Sequence, residues 1–124
     1  MNKPAIQSKE LEDRLLNLSV SVIKTIRNDK QIPQSVKTQL TRSITSIGAN
    51  YMEANNAASS ADFRNKIFIA KKETAESIYW LKIIKELSEQ PKRYDNIYDE
   101  LDQLIKIFQK IISTLNSRRS SNEK

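Results

Sequence analysis

The chain has 124 residues, enough for one domain with a buried core, and it contains neither cysteine nor histidine. That composition excludes disulfides, thiolate and imidazole metal sites, and any histidine acting as a general base. Lys and Arg number 21 against 15 Asp and Glu, a formal charge of +6 that suits polyanions and is spread evenly rather than gathered in a tail.

The opening Met1-Asn2-Lys3-Pro4 leads into no apolar run, and residues 1–7 are expected to form a flexible N-terminus. No apolar stretch exceeds four residues, as in Ile67-Phe68-Ile69-Ala70, far short of the roughly 20 residues a bilayer requires, so a cytoplasmic location is expected. One glycine and three prolines leave long uninterrupted stretches for helices.

A first helix is expected to start after Ser8, its N-cap, and to run to about Asn28. Leu11, Leu15, Leu18, Val22 and Ile26 form its apolar stripe, widened by Leu16, Val20 and Ile23. Pro33 disfavours helical geometry at Ile32 and suits the start of a second helix, over about Gln34 to Asn55. Its stripe is Val36, Leu40, Ile44, Ile47, Tyr51 and Ala54. Beside it runs a polar row of Gln39, Ser43, Ser46, Asn50 and Glu53. The row is either a solvated flank or a seam where small side chains admit a neighbouring helix and Asn50 makes a specific hydrogen bond. Gly48, costly in mid-helix, fits close approach of such a neighbour.

Ser59 and Asp62 have capping-box spacing, so a third helix is expected from about Ser60 to Ser88. Phe63, Ile67, Ala70, Thr74, Ser77, Leu81 and Ile84 make its stripe, broadened by Ile78, Trp80 and Leu87. Gln90-Pro91-Lys92 ends it. A fourth helix follows from about Tyr94 to Asn116, with Ile97, Leu101, Leu104, Ile105, Phe108, Ile111, Ile112 and Leu115 inward. Asp95, Asp99, Glu100 and Asp102 near its start and Lys106 and Lys110 beyond suit the helix dipole. The tail from residue 117 has nothing to bury and is expected to be disordered.

These segments predict an all-α, antiparallel up-down-up-down four-helix bundle over residues 8–116. A three-helix core with a loosely docked first helix is the alternative. Helices one and four carry more apolar surface than a strict two-position seam needs, which fits burial between subunits.

No residue pattern points to catalysis, a cofactor or a metal. Glu73 and Glu76 are the best carboxylate pair, yet diiron bundles use Glu-x-x-His motifs, and Lys72 already stands four residues before Glu76 as an ion-pair partner. No phosphate-cradling glycine loop, zinc spacing or serine–histidine combination occurs. Tyr79-Trp80 serves either core packing or an interface. Arg42, Glu53, Glu73 and Glu76 are expected to organise the bundle through buried or half-buried polar contacts. The cations that can reach phosphates are Lys24, Arg27, Lys30, Lys37, Arg42, Arg64, Lys71, Lys72, Lys82, Lys85, Arg118 and Arg119. Each serves solubility if no polyanion is bound. No zinc finger or RNA-binding aromatic platform is present, so any binding is expected to be salt-sensitive and weakly sequence-specific.

The stretch from Gln39 to Ala54, with Gln39, Arg42, Ser46-Ile47, Asn50 and Glu53-Ala54, resembles the signature of the bacterial four-helix-bundle family named for intervening sequences in 23S ribosomal RNA genes. A second block, from Phe63 through Ala70-Lys71-Lys72-Glu73-Thr74-Ala75-Glu76-Ser77-Ile78-Tyr79-Trp80-Leu81, resembles that family's other segment, and Ile32-Pro33 matches the approach to its second helix. The resemblance covers about residues 8–115; Tyr51 stands where the family usually has an aliphatic side chain. That family is similar to the accessory variability determinant of diversity-generating retroelements, a basic homopentamer that binds a reverse transcriptase and nucleic acid. The resemblance implies a non-catalytic accessory protein, a homo-oligomer and by analogy a pentamer, engaging RNA, DNA or a nucleic-acid enzyme. A protein-interaction scaffold without nucleic acid is the alternative.

Overall fold

The computed structural model describes the backbone of residues 5–123 and the side chains of residues 8–118. Four helices make up the fold: α1 (Ala5–Ile26), α2 (Gln34–Asn55), α3 (Ser60–Leu87) and α4 (Asp95–Glu123). Short connections turn each helix back along its predecessor, giving an antiparallel bundle. Contact is most extensive between α2 and α3 and thin between α1 and α4.

The helix ends follow from local chemistry. The Pro33 carbonyl accepts from the Val36 and Lys37 amides, so Pro33 is the residue just before α2. Ser59 caps α3 by accepting the Asp62 amide at 3.1 Å. A 3-10 turn over Pro91–Tyr94 leads into α4, where a bare end to α3 was expected. Two ends depart from expectation. α1 begins at Ala5, so Ser8 lies buried inside the helix rather than capping it. α4 continues past Asn116 to Glu123, because no glycine or proline there halts helix propagation.

One apolar cluster fills the interior. α1 contributes Leu15, Leu18, Val22 and Ile26, which makes it a full member of the bundle rather than a docked appendage. Leu40, Ile44, Ile47 and Tyr51 enter from α2, Phe63, Ile67, Leu81 and Ile84 from α3, and Leu101, Leu104 and Phe108 from α4. Tyr51 is buried with its ring 6.2 Å from that of Phe108, so the larger side chain finds an aromatic neighbour. Leu16, Val20 and Leu87, expected to widen the buried faces, are exposed instead. Each stands about a third of a turn or more from its helix's inward line, and no neighbouring helix covers that side.

Candidate nucleic-acid interface

The polar row on α2 divides between seam and flank. Ser43 is fully buried and accepts a 2.8 Å hydrogen bond from the Ser77 hydroxyl on α3. Two small side chains facing each other let the two backbones approach there. Asn50 does not reach across: its amide donates to the Ser46 carbonyl and hydroxyl one turn back. Glu53 pairs with Lys66 of α3 at 3.1 Å, and Gln39 accepts from Arg42 at 3.4 Å, both on the exposed edge.

Arg42 is the centre of this seam. Its guanidinium donates to Glu73 at 2.9 Å and also pairs with Glu76. The Glu73 side chain is 7% exposed, whereas Arg42 is 49% exposed, so the buried partner is the carboxylate. Glu76 also accepts from the Trp80 indole at 3.1 Å. The expected Lys72–Glu76 pair is absent among the described residues, because Arg42 and Trp80 occupy that carboxylate. Trp80 in turn holds the exposed Tyr79 ring edge-on at 5.1 Å between centroids. Arg42, Glu76, Trp80 and Tyr79 thus form a chain from the seam to the surface.

The remaining cations fall into two classes. Lys85 pairs with Asp95 at 2.7 Å and lies over the Tyr98 ring, and Arg64 donates to Asn116 and stacks on Phe68. Lys37 reaches the Arg27 carbonyl at 3.4 Å. By contrast, Lys24, Arg27, Lys30, Lys71, Lys72, Lys82 and Arg118 make no ion pair among the described residues, and all but the half-buried Lys71 are exposed. Arg119 lies outside the described side chains. Lys24, Arg27, Lys30 and Lys82 share one end of the bundle, where α1 and α3 finish and α2 and α4 begin. Lys92 and Arg93 of the 3-10 turn, also exposed, stand there too. Among the described residues no cluster of three or more His, Cys, Asp or Glu could hold a metal ion. No helix there is long and apolar enough to cross a membrane.

Two polar arrangements escaped sequence reasoning. Asp29, in the α1–α2 connection, is buried and accepts from the Tyr94 hydroxyl at 2.6 Å, the Ser88 hydroxyl at 2.7 Å and the Gln31 amide at 3.2 Å. Burial alone would push its carboxyl up. The three hydrogen bonds, with Arg93 nearby, outweigh that and hold it below the ordinary carboxylate value. Tyr94 is pushed up, first by burial and then by its bond to Asp29. At the thin α1–α4 contact, Arg14 donates to both Glu100 oxygens, at 2.7 and 2.6 Å, and to Gln103 at 2.8 Å. A lone aspartate after a helix and an arginine on an outward position carry no sequence signal of partners in another helix.

Comparison with known proteins agrees with this architecture. The profile of the 23S rRNA-intervening sequence protein family matches residues 9–110. The chain is similar to a protein of unknown function from the S23 ribosomal protein family of Bacteroides thetaiotaomicron. The two share 34% identity and a TM-score of 0.76, over 86% of this chain and 97% of that one. A search of curated proteins finds no match. The chain belongs to the family of 23S rRNA-intervening sequence proteins.

Proposed function

We propose that the protein is a non-catalytic accessory factor, self-associating, that holds nucleic-acid phosphates on the cationic end of its bundle. The observation that carries this reading is the set of exposed cations there that make no ion pair among the described residues, Lys24, Arg27, Lys30, Lys82 and Lys92, beside Arg93, whose charge acts on the buried Asp29. Two acids at that end are spent internally, Asp29 on Tyr94 and Ser88, and Asp95 on Lys85. Glu86, Glu89 and Asp99 remain exposed nearby, so the surplus is modest and the binding weak at physiological salt. The family's association with ribosomal RNA intervening sequences supports an RNA partner. A homopentamer in the cytoplasm, docking a nucleic-acid enzyme such as a reverse transcriptase, is the fuller form of the same reading.

Filter binding with structured RNA and duplex DNA at two salt concentrations tests it. Retention at low salt should fall steeply as salt rises, and changing Lys24, Arg27 and Lys30 to Gln should flatten that slope by up to about 0.9 per lost contact. Negligible retention of both nucleic acids at low salt overturns it. The second reading is a protein-interaction scaffold, favoured by the apolar outer face of α1, where Leu16 is 61% exposed and Val20 lies one turn on. A stoichiometric protein partner that survives nuclease treatment would favour that reading.

A further inference from the structure

The outward face of α3 combines aromatic rings with unpaired cations along one line. Successive helical positions turn by about 100°, so Arg64, Phe68, Lys72, Ala75, Tyr79 and Lys82 fall within an arc of about 80°. Tyr79 is 58% exposed and Phe68 37%, both high for aromatic side chains on a helix already packed against two neighbours. Lys72 and Lys82 are exposed and make no ion pair among the described residues, and the arc carries no acid between Arg64 and Lys82. The first carboxylate in line is Glu86, one turn beyond. Each ring has a neighbour that holds it: Arg64, one turn earlier on the same arc, lies over the Phe68 ring 4.7 Å from its centroid, and Tyr79 stands edge-on to Trp80, itself tied to Glu76.

Rings alternating with cations fit a polyanion whose carriers have accessible flat faces. A duplex stacks its bases against one another and offers these rings nothing but phosphate. A single strand offers phosphates to Lys72 and Lys82 and bases to Phe68 and Tyr79, which stand about 16 Å apart along the helix. The charge sign and the absence of acids on the arc argue against an acidic-to-basic contact with a second copy of the chain. We infer that the α3 face is a track for single-stranded nucleic acid, on which Phe68 and Tyr79 stack bases while Lys72 and Lys82 hold the backbone. This rests on the nucleic-acid reading above and names the form of nucleic acid and a surface along α3 that meets the cationic end at Lys82.

Anisotropy titration of a labelled, unstructured oligothymidylate of about 20 nucleotides, beside a duplex of equal length at the same salt, provides the test. The single strand should bind more tightly than the duplex. Phe68→Ala and Tyr79→Ala should each weaken the single strand by at least about fivefold and leave the duplex unchanged. Tyr79→Phe should retain wild-type binding. Lys72→Gln and Lys82→Gln should each reduce the single-strand salt slope by about 0.7. All these side chains are exposed, so unchanged thermal unfolding is expected of every variant and separates lost binding from lost fold. Duplex binding with no preference for the single strand, or indifference of the single strand to both alanine variants, overturns the track while leaving the cationic end intact. A drop in solution mass for Phe68→Ala or Tyr79→Ala makes the face a subunit contact and also overturns it. Failure to retain either nucleic acid at low salt removes both readings together.

Discussion

The Tyr94 hydroxyl donates to the Asp29 carboxylate across 2.6 Å, although the two residues stand 65 positions apart in the chain. This bond ties the α1–α2 connection to the α3–α4 connection at one end of the bundle. Ser88 adds a second donor from the end of α3. Tyr94→Phe keeps the ring and removes one donor to a buried carboxylate. Hydrogen bonds to charged groups contribute about 1.5–3 kcal/mol. Ser88 and the Gln31 amide remain, so a loss of about 1.5–2 kcal/mol is expected by urea denaturation. A loss below about 0.5 kcal/mol would mean that water replaces the phenol at no cost.

The same pair predicts a stability plateau bounded on both sides. The folded Asp29 carboxyl lies below its ordinary value of 3.8, so its contribution is full above that value and disappears as pH falls through the lower folded value. The folded Tyr94 phenol lies above its ordinary value of 10.0, so its contribution is full below that value and is lost as pH climbs beyond it. Urea midpoints should therefore fall below about pH 4 and again above about pH 10. Tyr94→Phe should weaken both limbs: the alkaline fall, because the group that must ionise there is gone, and the acid fall, because Asp29 loses the first of the hydrogen bonds that hold its carboxyl down. An unchanged alkaline limb in that variant would assign the fall to another residue.

At the α2–α3 seam the cost of a deletion should depend on which charge is left behind. Arg42→Ala strands the buried Glu73 carboxylate, whereas Glu73→Ala leaves a half-exposed guanidinium that still has Glu76 and water. Breaking a fully buried pair costs about 3–5 kcal/mol, and solvent access at Arg42 lowers that to about 2 kcal/mol. Glu73→Ala should cost less, and the double variant less than the sum of the two. Glu76 is more exposed, and its removal should act mainly by releasing the Trp80 indole. Thermal or urea unfolding of the four variants orders these costs, and equal losses for Arg42→Ala and Glu76→Ala would contradict the assignment.

The difference between Leu18 and Leu16 shows where sequence reading succeeds and where it stops. Apolar residues at helical spacing identified the inward lines of all four helices, because burial follows from periodicity alone. Periodicity does not tell which flank of a line a neighbour covers, so Leu16 and Val20 were placed inward and lie outward. Polar contacts between helices were legible only where a family pattern marked them, as at Arg42 and Glu73. The Asp29–Tyr94 bond and the Arg14–Glu100 fork depend on how the ends of distant helices meet, which no local pattern encodes. The cations could be named from the sequence. Their division into internally paired and free could not, since Arg64 and Lys85 find their partners on α4.

Gly48 offers a test of packing between α1 and α2. A Cβ added there would lie 3.5 Å from the Leu15 Cβ, an ordinary van der Waals contact, so the close approach of the helices does not require glycine. Alanine removes backbone freedom from the unfolded chain and adds apolar contact in a helix interior. Gly48→Ala should therefore stabilise the protein by about 0.5–1 kcal/mol. A lower urea midpoint in that variant would show that α1 sits tighter on α2 than the described distance indicates.

The outer face of α1 should decide self-association. Leu16 is the most exposed large apolar side chain among the described residues, and Val20 follows it one helical turn later. Neither belongs to the buried core, so replacing Leu16 with Glu should leave the helical content and thermal unfolding of a single chain unchanged. If this face is covered by another subunit, a charge placed in its middle meets an apolar surface without a partner and separates the chains. Light scattering coupled to size exclusion should then give a multiple of the single-chain mass for the wild type and the single-chain mass for Leu16→Glu. A wild type that already runs as one chain at high concentration removes self-association from the proposed function. An oligomer that survives Leu16→Glu moves its interface to another helix.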